Sequence, residues 1–225
     1  MSKDLNNNFD KILLELIKER RSVRLFTGKK IPKGEILSII EAGTWAPTGC
    51  NNQELRFFIL DKEEEINDII KFKPFLMGTS ACVLIFCDMS LPMSSKMYCK
   101  SKDERHLHYI DTGLALENMI IYAKSKDIDS CILNLSEYHF KQHDKERNPI
   151  RKIIDKAKHK LGFCASMENN FEFYLRNNLK IPKHFKIMCS VAFGFAKKYP
   201  DINTAMHRGK KIMRKNIDYY IIHER

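Results

Sequence analysis

The sequence predicts an α+β fold with a mixed central sheet, and three patterns support it. Short apolar runs bounded by polar residues predict buried strands at 81–88 and 185–195. Apolar residues at helical spacing predict helices at 10–20, 32–42 and 109–125. These helices and strands neither alternate strictly nor separate into two halves of the chain. A regular doubly wound arrangement is therefore disfavoured.

The first two predicted helices are amphipathic. In the first, Leu13, Leu16 and Ile17 fall on one face. The second repeats this pattern, with Pro32 at the first helical position and Gly43 just past the end, as helix termini favour. The later helix at 109–125 is almost entirely apolar, so we expect it to be central and buried against several neighbours.

Two further strands complete the predicted sheet. Residues 44–53 (TWAPTGCNNQ) have the composition of a loop and lead into the apolar run at 55–60 (LRFFIL). The run at 128–135 (IDSCILNL) is the other strand. By contrast, residues 89–108 have no sustained period and indicate a loop, and residues 150–161 indicate a basic helix.

The last residues of the chain are too apolar to remain in solvent. The stretch 217–224 (IDYYIIHE) combines aromatic and branched side chains. We therefore expect this tail to pack on something, and a second subunit is one candidate.

Composition indicates an ordinary globular protein with one domain over residues 1–225. The chain is 44% hydrophobic and 30% charged, and it shows no linker or repeat. It has no apolar run of the ~20 residues that a membrane span needs and no apolar core of a signal peptide, which predicts no membrane contact and a cytoplasmic location. The seven cysteines form no CxxC or zinc spacing, which predicts reduced thiols.

The net charge of +11 is concentrated in two windows. Residues 18–33 carry net +6 and residues 205–215 carry net +5. Nucleic acid, an anionic membrane or a phosphorylated small molecule would each favour such charge, and solvated surface lysine is the plain alternative. Aromatic residues are not interleaved with the cations as stacking platforms, so nucleic acid is disfavoured.

Most catalytic motifs are missing. The sequence contains no GxGxxG, GxxxxGK[ST], HExxH or GxSxG pattern. His106 and His108 form an alternating pair that suits a metal, but no third ligand is close in sequence, so we expect exposed polar side chains and no metal site. Cys131 lies in an apolar strand, where a reactive thiolate is disfavoured.

The segment Arg20–Phe26 (RRSVRLF) carries the strongest chemical signal. It presents three guanidinium groups and one hydroxyl within five residues at a predicted helix end. Paired guanidinium donors suit a phosphate dianion or the electron-rich edge of a heterocycle. Arg208, Lys210 and Lys211 form a second basic cluster, and two remote clusters meeting on one phosphate would explain both. A basic helix end on the surface remains the alternative.

Several motifs in order resemble the FMN-dependent nitroreductase family. They are IKERRSVRLF, GTWAPTGCNNQ, YIDTGLALENMIIYA, IDSCILN, VAFGFAKK and HRGKKIMRKNIDYY, collinear over residues 12–220 with gaps. The resemblance implies a mainly antiparallel sheet flanked by helices, with a C-terminal arm on the partner subunit of a homodimer. It also implies FMN as cofactor, NADH or NADPH as electron donor and a small-molecule acceptor reduced in a ping-pong reaction, without a catalytic side chain.

The same resemblance implies a set of cofactor-binding residues. The turn at 20–24 would hold the FMN phosphate and ribityl chain, the loop at 47–51 would reach the flavin of the other subunit, the segment at 133–134 would lie beside flavin N5, and the residues at 208–210 would complete the phosphate clamp. The implied residues are Arg20, Arg21, Ser22, Arg24, Pro47, Thr48, Gly49, Asn51, Leu133, Asn134, Arg208 and Lys210.

The chain also departs from the family pattern. Glu54, Leu55 and Arg56 stand where family members often have Pro-Trp, so the wall facing the substrate is expected to differ. Two alternatives therefore stay open: a specialised flavoenzyme acting on one metabolite, and a flavin-binding protein without turnover.

Overall fold

The computed structural model describes residues 3–73, 76–91, 107–133, 174–200, 204–207 and 210–221, with the backbone alone at 3–8, 72, 204–207, 210–212 and 218. The expected basic helix at 150–161 and most of the expected loop at 89–108 lie outside these residues. The helices are α1 (Lys3–Glu19), α2 (Lys33–Thr44), α3 (Glu63–Phe72) and α4 (Leu107–Ser125). The strands are β1 (Leu55–Leu60), β2 (Ala81–Asp88), β3 (Asp129–Leu133), β4 (Phe185–Gly194), β5 (Thr204–His207) and β6 (Lys210–Met213).

Four strands form the main sheet in the order β1-β2-β4-β3, and every neighbouring pair is antiparallel. Leu55 pairs with Cys87 at one end of the sheet, and Asp129 pairs with Gly194 at the other. The parallel component is one bridge between Ser22 and Ser130. The predicted antiparallel α+β architecture is confirmed, and β5 and β6 form a separate hairpin.

Strand β2 lies at the centre of the sheet and divides two cores. All eight of its residues are buried, as a continuous apolar run indicates. Because side chains alternate along a strand, Leu84 and Phe86 join the core beneath α3, whereas Val83 and Ile85 join the core beneath α2 and α4. Each fully buried side chain of this size contributes roughly 1.5–3 kcal/mol.

The structure adds one helix and extends another. Helix α3 was not predicted from the sequence, because its apolar positions are the short series Ile66, Ile69 and Ile70 in a polar segment. Helix α1 begins at Lys3 rather than at Asp10.

Helix α1 leaves its apolar side uncovered within the chain. Phe9, Ile12, Leu13, Leu14 and Ile17 are each between 40% and 58% exposed. The amphipathic pattern is therefore present, but the residues that the structure describes do not bury it.

Two other segments are exposed in the same way. Helix α4 packs against α1, α2 and β3, as expected, but Leu114 on another face of it is 42% exposed. In the tail, Ile217, Tyr219 and Tyr220 are all more than 60% exposed. In the described part of the chain, no helix is long and apolar enough to cross a membrane.

Candidate functional site

The segment that follows α1 joins the open edge of β3. The helix ends where the Arg20 N–H donates to the Leu16 carbonyl at 3.1 Å. Three residues later the Val23 N–H donates to the Ser130 carbonyl at 2.9 Å, which places Arg20–Arg24 alongside the start of β3. The side chain of Val23 is fully buried and anchors the segment in the core.

A second set of contacts fixes the far end of this segment. Phe26 is buried, and its N–H donates to the Met77 carbonyl while the Gly28 N–H donates to the Gly78 carbonyl, both at 3.0 Å. Gly78 has a φ of +77°, and a Cβ there would lie 2.3 Å from the Phe26 carbonyl oxygen. Only glycine therefore permits this close approach of the two backbones.

The cations of this segment have few partners. The guanidinium groups of Arg20 and Arg24 have no hydrogen-bond or ion-pair partner among the residues the structure describes, and Arg24 is exposed. The Nε of Arg21 lies inside the protein, so Arg20 and Arg24 are the more accessible guanidinium groups. Two such groups without a nearby carboxylate fit a phosphate dianion.

Arg24 also approaches β3. Burial raises the pKa of the Cys131 thiol, and the positive charge of Arg24 opposes that rise. The structure thus brings the basic segment to the strand whose last described residue is Leu133, as the resemblance implies. Leu133 itself is buried, and Asn134 lies outside the described residues.

Ile132 is not among the candidate site residues that the sequence predicts. Backbone groups alternate in direction along a strand, so Ile132 points its N–H and C=O to the same open edge as Ser130. Its side chain is 43% exposed. An exposed branched residue inside an apolar strand was the available signal.

The loop that follows α2 has a strained and specific conformation. Cys50, Asn51 and Gln53 have φ values of +51°, +56° and +51°, in the left-handed region that costs a non-glycine residue roughly 1–2 kcal/mol. Thr48 holds the loop closed, because its Oγ1 accepts the Gln53 N–H at 3.0 Å. Pro47 and Asn51 are exposed at the tip of this loop.

Two buried carboxyl groups lie beneath the loop. The Gly49 N–H donates to Asp111 Oδ2 at 3.0 Å, and Asn52 Nδ2 donates to Glu54 Oε2 at 3.1 Å. Glu54 is completely buried and Asp111 is 4% exposed. Burial, followed by hydrogen bonding to Asp111, raises the pKa of Glu54.

The loop and the basic segment lie at opposite corners of the sheet. Glu54 precedes β1 on one edge, level with Asp88, whereas Ser22 lies beyond β3 on the other edge, level with the start of β2. Four strand spacings separate the two backbones, or about 19 Å across the sheet, with about 23 Å more along it. One chain cannot bring both segments to the same small molecule.

A cavity of about 200 Å³ lies beside the loop. Its lining includes Thr48, Gln53, Arg56 and Phe57. Arg56 Nη1 donates to the Gln53 carbonyl at 2.8 Å and Nη2 to Asp88 at 3.3 Å, so the guanidinium is held as part of the wall. The departure from the family pattern thus lies at the wall of a cavity next to the loop.

The C-terminal basic cluster is described only in part. Lys210 is the first residue of β6, where its backbone pairs with His207. Arg208 lies outside the described residues. Within the part that is described, no group of three His, Cys, Asp or Glu residues is placed to hold a metal ion. His106 is not described, and His108 is buried, so the expectation that it is exposed is wrong.

Comparison with known proteins finds similarity to one family over part of the chain. Residues 17–78 match the model of the nitroreductase family. Over 82 residues the chain is 34% identical to YdgI of Bacillus subtilis, provisionally named an NAD(P)H nitroreductase, a match that spans 34% of this chain and 39% of that protein. It is 26% identical over 125 residues to a protein of Archaeoglobus fulgidus, provisionally named NADH dehydrogenase/NAD(P)H nitroreductase, covering 54% of this chain and 67% of the relative.

Solved structures extend the similarity to the whole fold. A nitroreductase-like protein from Streptococcus mutans superposes with a TM-score of 0.64 and 15% identity, covering 96% of this chain and 100% of the other. An FMN-dependent nitroreductase from Clostridium difficile superposes with a TM-score of 0.59 and 16% identity, covering 94% and 98%. The predicted resemblance and the predicted fold are both confirmed.

Proposed function

From its nitroreductase fold and its match to the family over residues 17–78, we propose that this chain is an FMN-dependent NAD(P)H oxidoreductase. The observation that carries the proposal is the pair of accessible guanidinium groups, Arg20 and Arg24, held beside β3 without a carboxylate partner among the described residues. FMN, when bound, supplies transfer of two electrons from NADH or NADPH to an electron-poor small molecule such as a nitroaromatic or a quinone. Such an enzyme works in two half-reactions, with the donor leaving before the acceptor binds.

The residues of this chain then bind and orient. Arg20, Arg21, Ser22 and Arg24 hold the phosphate end. The backbone fixes them because the Val23 N–H is bonded to β3 and the Phe26 N–H to Met77, before β2. Arg208 and Lys210 add positive charge to the phosphate clamp. The backbone of Leu133 and Asn134 lies beside flavin N5, and no side chain needs to act as acid or base.

A homodimer completes the site in this proposal. Pro47, Thr48, Gly49 and Asn51 lie at the far corner of the sheet and serve the flavin of the partner subunit. The uncovered face of α1 and the exposed aromatic tail support a second copy of this chain as the surface that buries them. We expect an interface above about 2,000 Å² in total, with the tail as an arm on the partner.

The wall near the cavity favours a particular acceptor over generic nitroaromatics. Glu54, Leu55 and Arg56 stand where many family members have Pro-Trp, and Arg56 is fixed by three hydrogen bonds. A wall shaped for another molecule does not place a nitro group in position for reaction, so poor turnover of generic nitroaromatics is expected. A specialised flavoenzyme on the same fold is the second candidate for this reason. The cytoplasmic location stays a prediction.

Flavin content and reduction test the proposal. Purified protein should carry flavin near one per subunit, and anaerobic NADH or NADPH should bleach the flavin absorption, with a quinone restoring it. Steady-state rates should give parallel double-reciprocal lines. Bleaching by dithionite but by neither nicotinamide would reject the NAD(P)H oxidoreductase and leave a specialised flavoenzyme or a flavin-binding protein.

Replacing the unpaired cations tests the phosphate site. Arg20→Ala and Arg24→Ala should each weaken FMN binding roughly 10- to 150-fold, because a hydrogen bond to a charged group contributes about 1.5–3 kcal/mol. Lys33→Ala is the matched control, since it removes one cation from the same basic window at an exposed position of α2. Equal affinity in all three variants, measured by fluorescence titration, would place the phosphate elsewhere.

A further inference from the structure

The two carboxyl groups beneath the 47–53 loop are isolated from cations. Glu54 precedes β1 and Asp111 lies in the second turn of α4, and both are buried. Neither forms an ion pair within the described part of the chain. Two adjacent buried carboxylates would repel each other strongly if both were ionised, so the protonation of the two groups has to explain their close approach.

The nearby cations are directed to other groups. From β1, the Arg56 guanidinium donates to the Gln53 and Leu55 carbonyls and pairs with Asp88. From β2, the Cys87 thiol and the Asp88 carboxylate face this region, where burial first and then nearby negative charge raise the pKa of Cys87. Lys186 of β4 also acts on Cys87, but its Nζ donates to the hydroxyl of Tyr109 at 3.1 Å. From α4, the buried His108 lies one turn before Asp111.

A shared proton resolves the repulsion. No donor among the described residues reaches Glu54 Oε1 when both carboxyls are ionised. Hydrogen bonding between Glu54 and Asp111 therefore requires a proton on one of them. This arrangement satisfies Oε1 and lets one buried group stay neutral.

Both carboxyls also hold the loop. Asp111 accepts the Gly49 N–H and Glu54 accepts the Asn52 amide, so the pair contacts the loop at two points on either side of Cys50 and Asn51. Those two residues have positive φ, a conformation that persists only where neighbouring contacts impose it. A Cβ at Gly49 would also lie 3.1 Å from Leu107, so the backbone passes close to α4 here.

We propose that Glu54 and Asp111 are positioning residues that share one proton and thereby hold the 47–53 loop in the shape that meets the flavin of the partner subunit. The proposal rests on the proposed function for its last clause only. It assigns a role to the position where Glu54 departs from the family pattern. It also makes the loop sensitive to pH, since ionising both groups breaks the contact between them.

The direction of the pH effect follows from the raised pKa of Glu54. A carboxyl whose native pKa is raised stabilises the structure while it is protonated, and this stabilisation is lost as pH rises through the native pKa. The loop should therefore be most ordered at low pH and loosen as pH rises. In Glu54→Gln the amide donates to Asp111 at every pH, so the loop should stay ordered.

Amide hydrogen exchange of the flavin-free protein tests the loop directly. Asp111→Ala should lower the protection factors of the Gly49, Asn52 and Gln53 amides roughly 10- to 150-fold, the factor for losing one hydrogen bond to a charged group. In the wild type these protection factors should fall as pH rises, and in Glu54→Gln they should not. Glu117→Gln is the matched control, because it neutralises an exposed carboxylate on the same helix.

Three outcomes would overturn the proposal. The first is a wild-type protein whose loop protection factors do not change with pH. The second is equal loop protection in Asp111→Ala and Glu117→Gln. If Asp111→Ala unfolds, as loss of protection in β2 would show, the pH profile of Glu54→Gln decides alone. The third outcome is an Asp111→Ala variant whose loop loosens while its FMN affinity stays at the wild-type value.

If the wild type binds no FMN, the proposed function fails, and the exchange data still report on the Glu54–Asp111 pair.

Discussion

Replacing Gly78 by alanine should separate the energetic cost of a positive φ from the cost of a steric clash, two effects that usually occur together. Gly28 and Gly78 both have positive φ, +82° and +77°, so an alanine at either position is strained. At Gly28 nothing lies within 4 Å of the new Cβ, whereas at Gly78 it would meet the Phe26 carbonyl oxygen at 2.3 Å. Gly28→Ala is therefore the matched control that carries the strain without the clash.

The structure sets the size of both effects. Positive φ costs an alanine roughly 1–2 kcal/mol, which is the expected loss for Gly28→Ala. In Gly78→Ala the backbone of Phe26 must also move away, which breaks two hydrogen bonds, Phe26 to Met77 and Gly28 to Gly78, worth roughly 0.5–1.5 kcal/mol each. The expected loss there is about 2–5 kcal/mol.

Urea unfolding at one fixed protein concentration measures both values, because the stability of an oligomer depends on concentration. FMN affinity should fall in Gly78→Ala as well, since the displaced segment carries Arg20 and Arg24. If Gly78→Ala and Gly28→Ala lose the same stability, the close approach between Gly78 and Phe26 does not constrain the basic segment, and our account of how that segment is held is wrong.

Two further predictions concern ionisable groups. Hydrogen bonds from Ser90 lower the pKa of Asp88, so its contribution to stability is present above about pH 4 and is lost as pH falls through the native value; the free energy of unfolding should fall less steeply below pH 4 in Asp88→Asn than in the wild type. Burial raises the pKa of Cys87 to about 12 and that of Cys82 further, so a thiol reagent at pH 8 should modify these two only after unfolding, and modification in the native protein, located by mass spectrometry, would contradict their burial.

The four strands of the main sheet were predictable because their residues carry the signal locally, whereas the hairpin of β5 and β6 was not predicted. The runs at 55–60 and 81–88 are bounded by polar residues, and the structure has β1 and β2 over the same ranges. Helix α3 was missed because ten residues with three isoleucines give a weak period. The single domain over residues 1–225 stays a prediction.

In the candidate site, the residue types were predictable from the sequence but their positions relative to one another were not. The motif at 20–24 identified cations by type and spacing, but its position beside β3 depends on strand order, which no local pattern contains. Glu54 was visible as a departure from the family pattern, yet its partner Asp111 is 57 residues away on a helix that otherwise appears apolar. Contacts of that kind follow from the fold and not from either segment.

Helix α1 has a consequence for how the chain is made. An isolated helix depends on packing for most of its stability, and α4, one of the elements that α1 contacts, is synthesised about a hundred residues later. During synthesis its five exposed apolar side chains have nothing to bury them, a state that favours aggregation or capture by a chaperone. Helix α1 therefore leaves the ribosome well before α4, against which it packs.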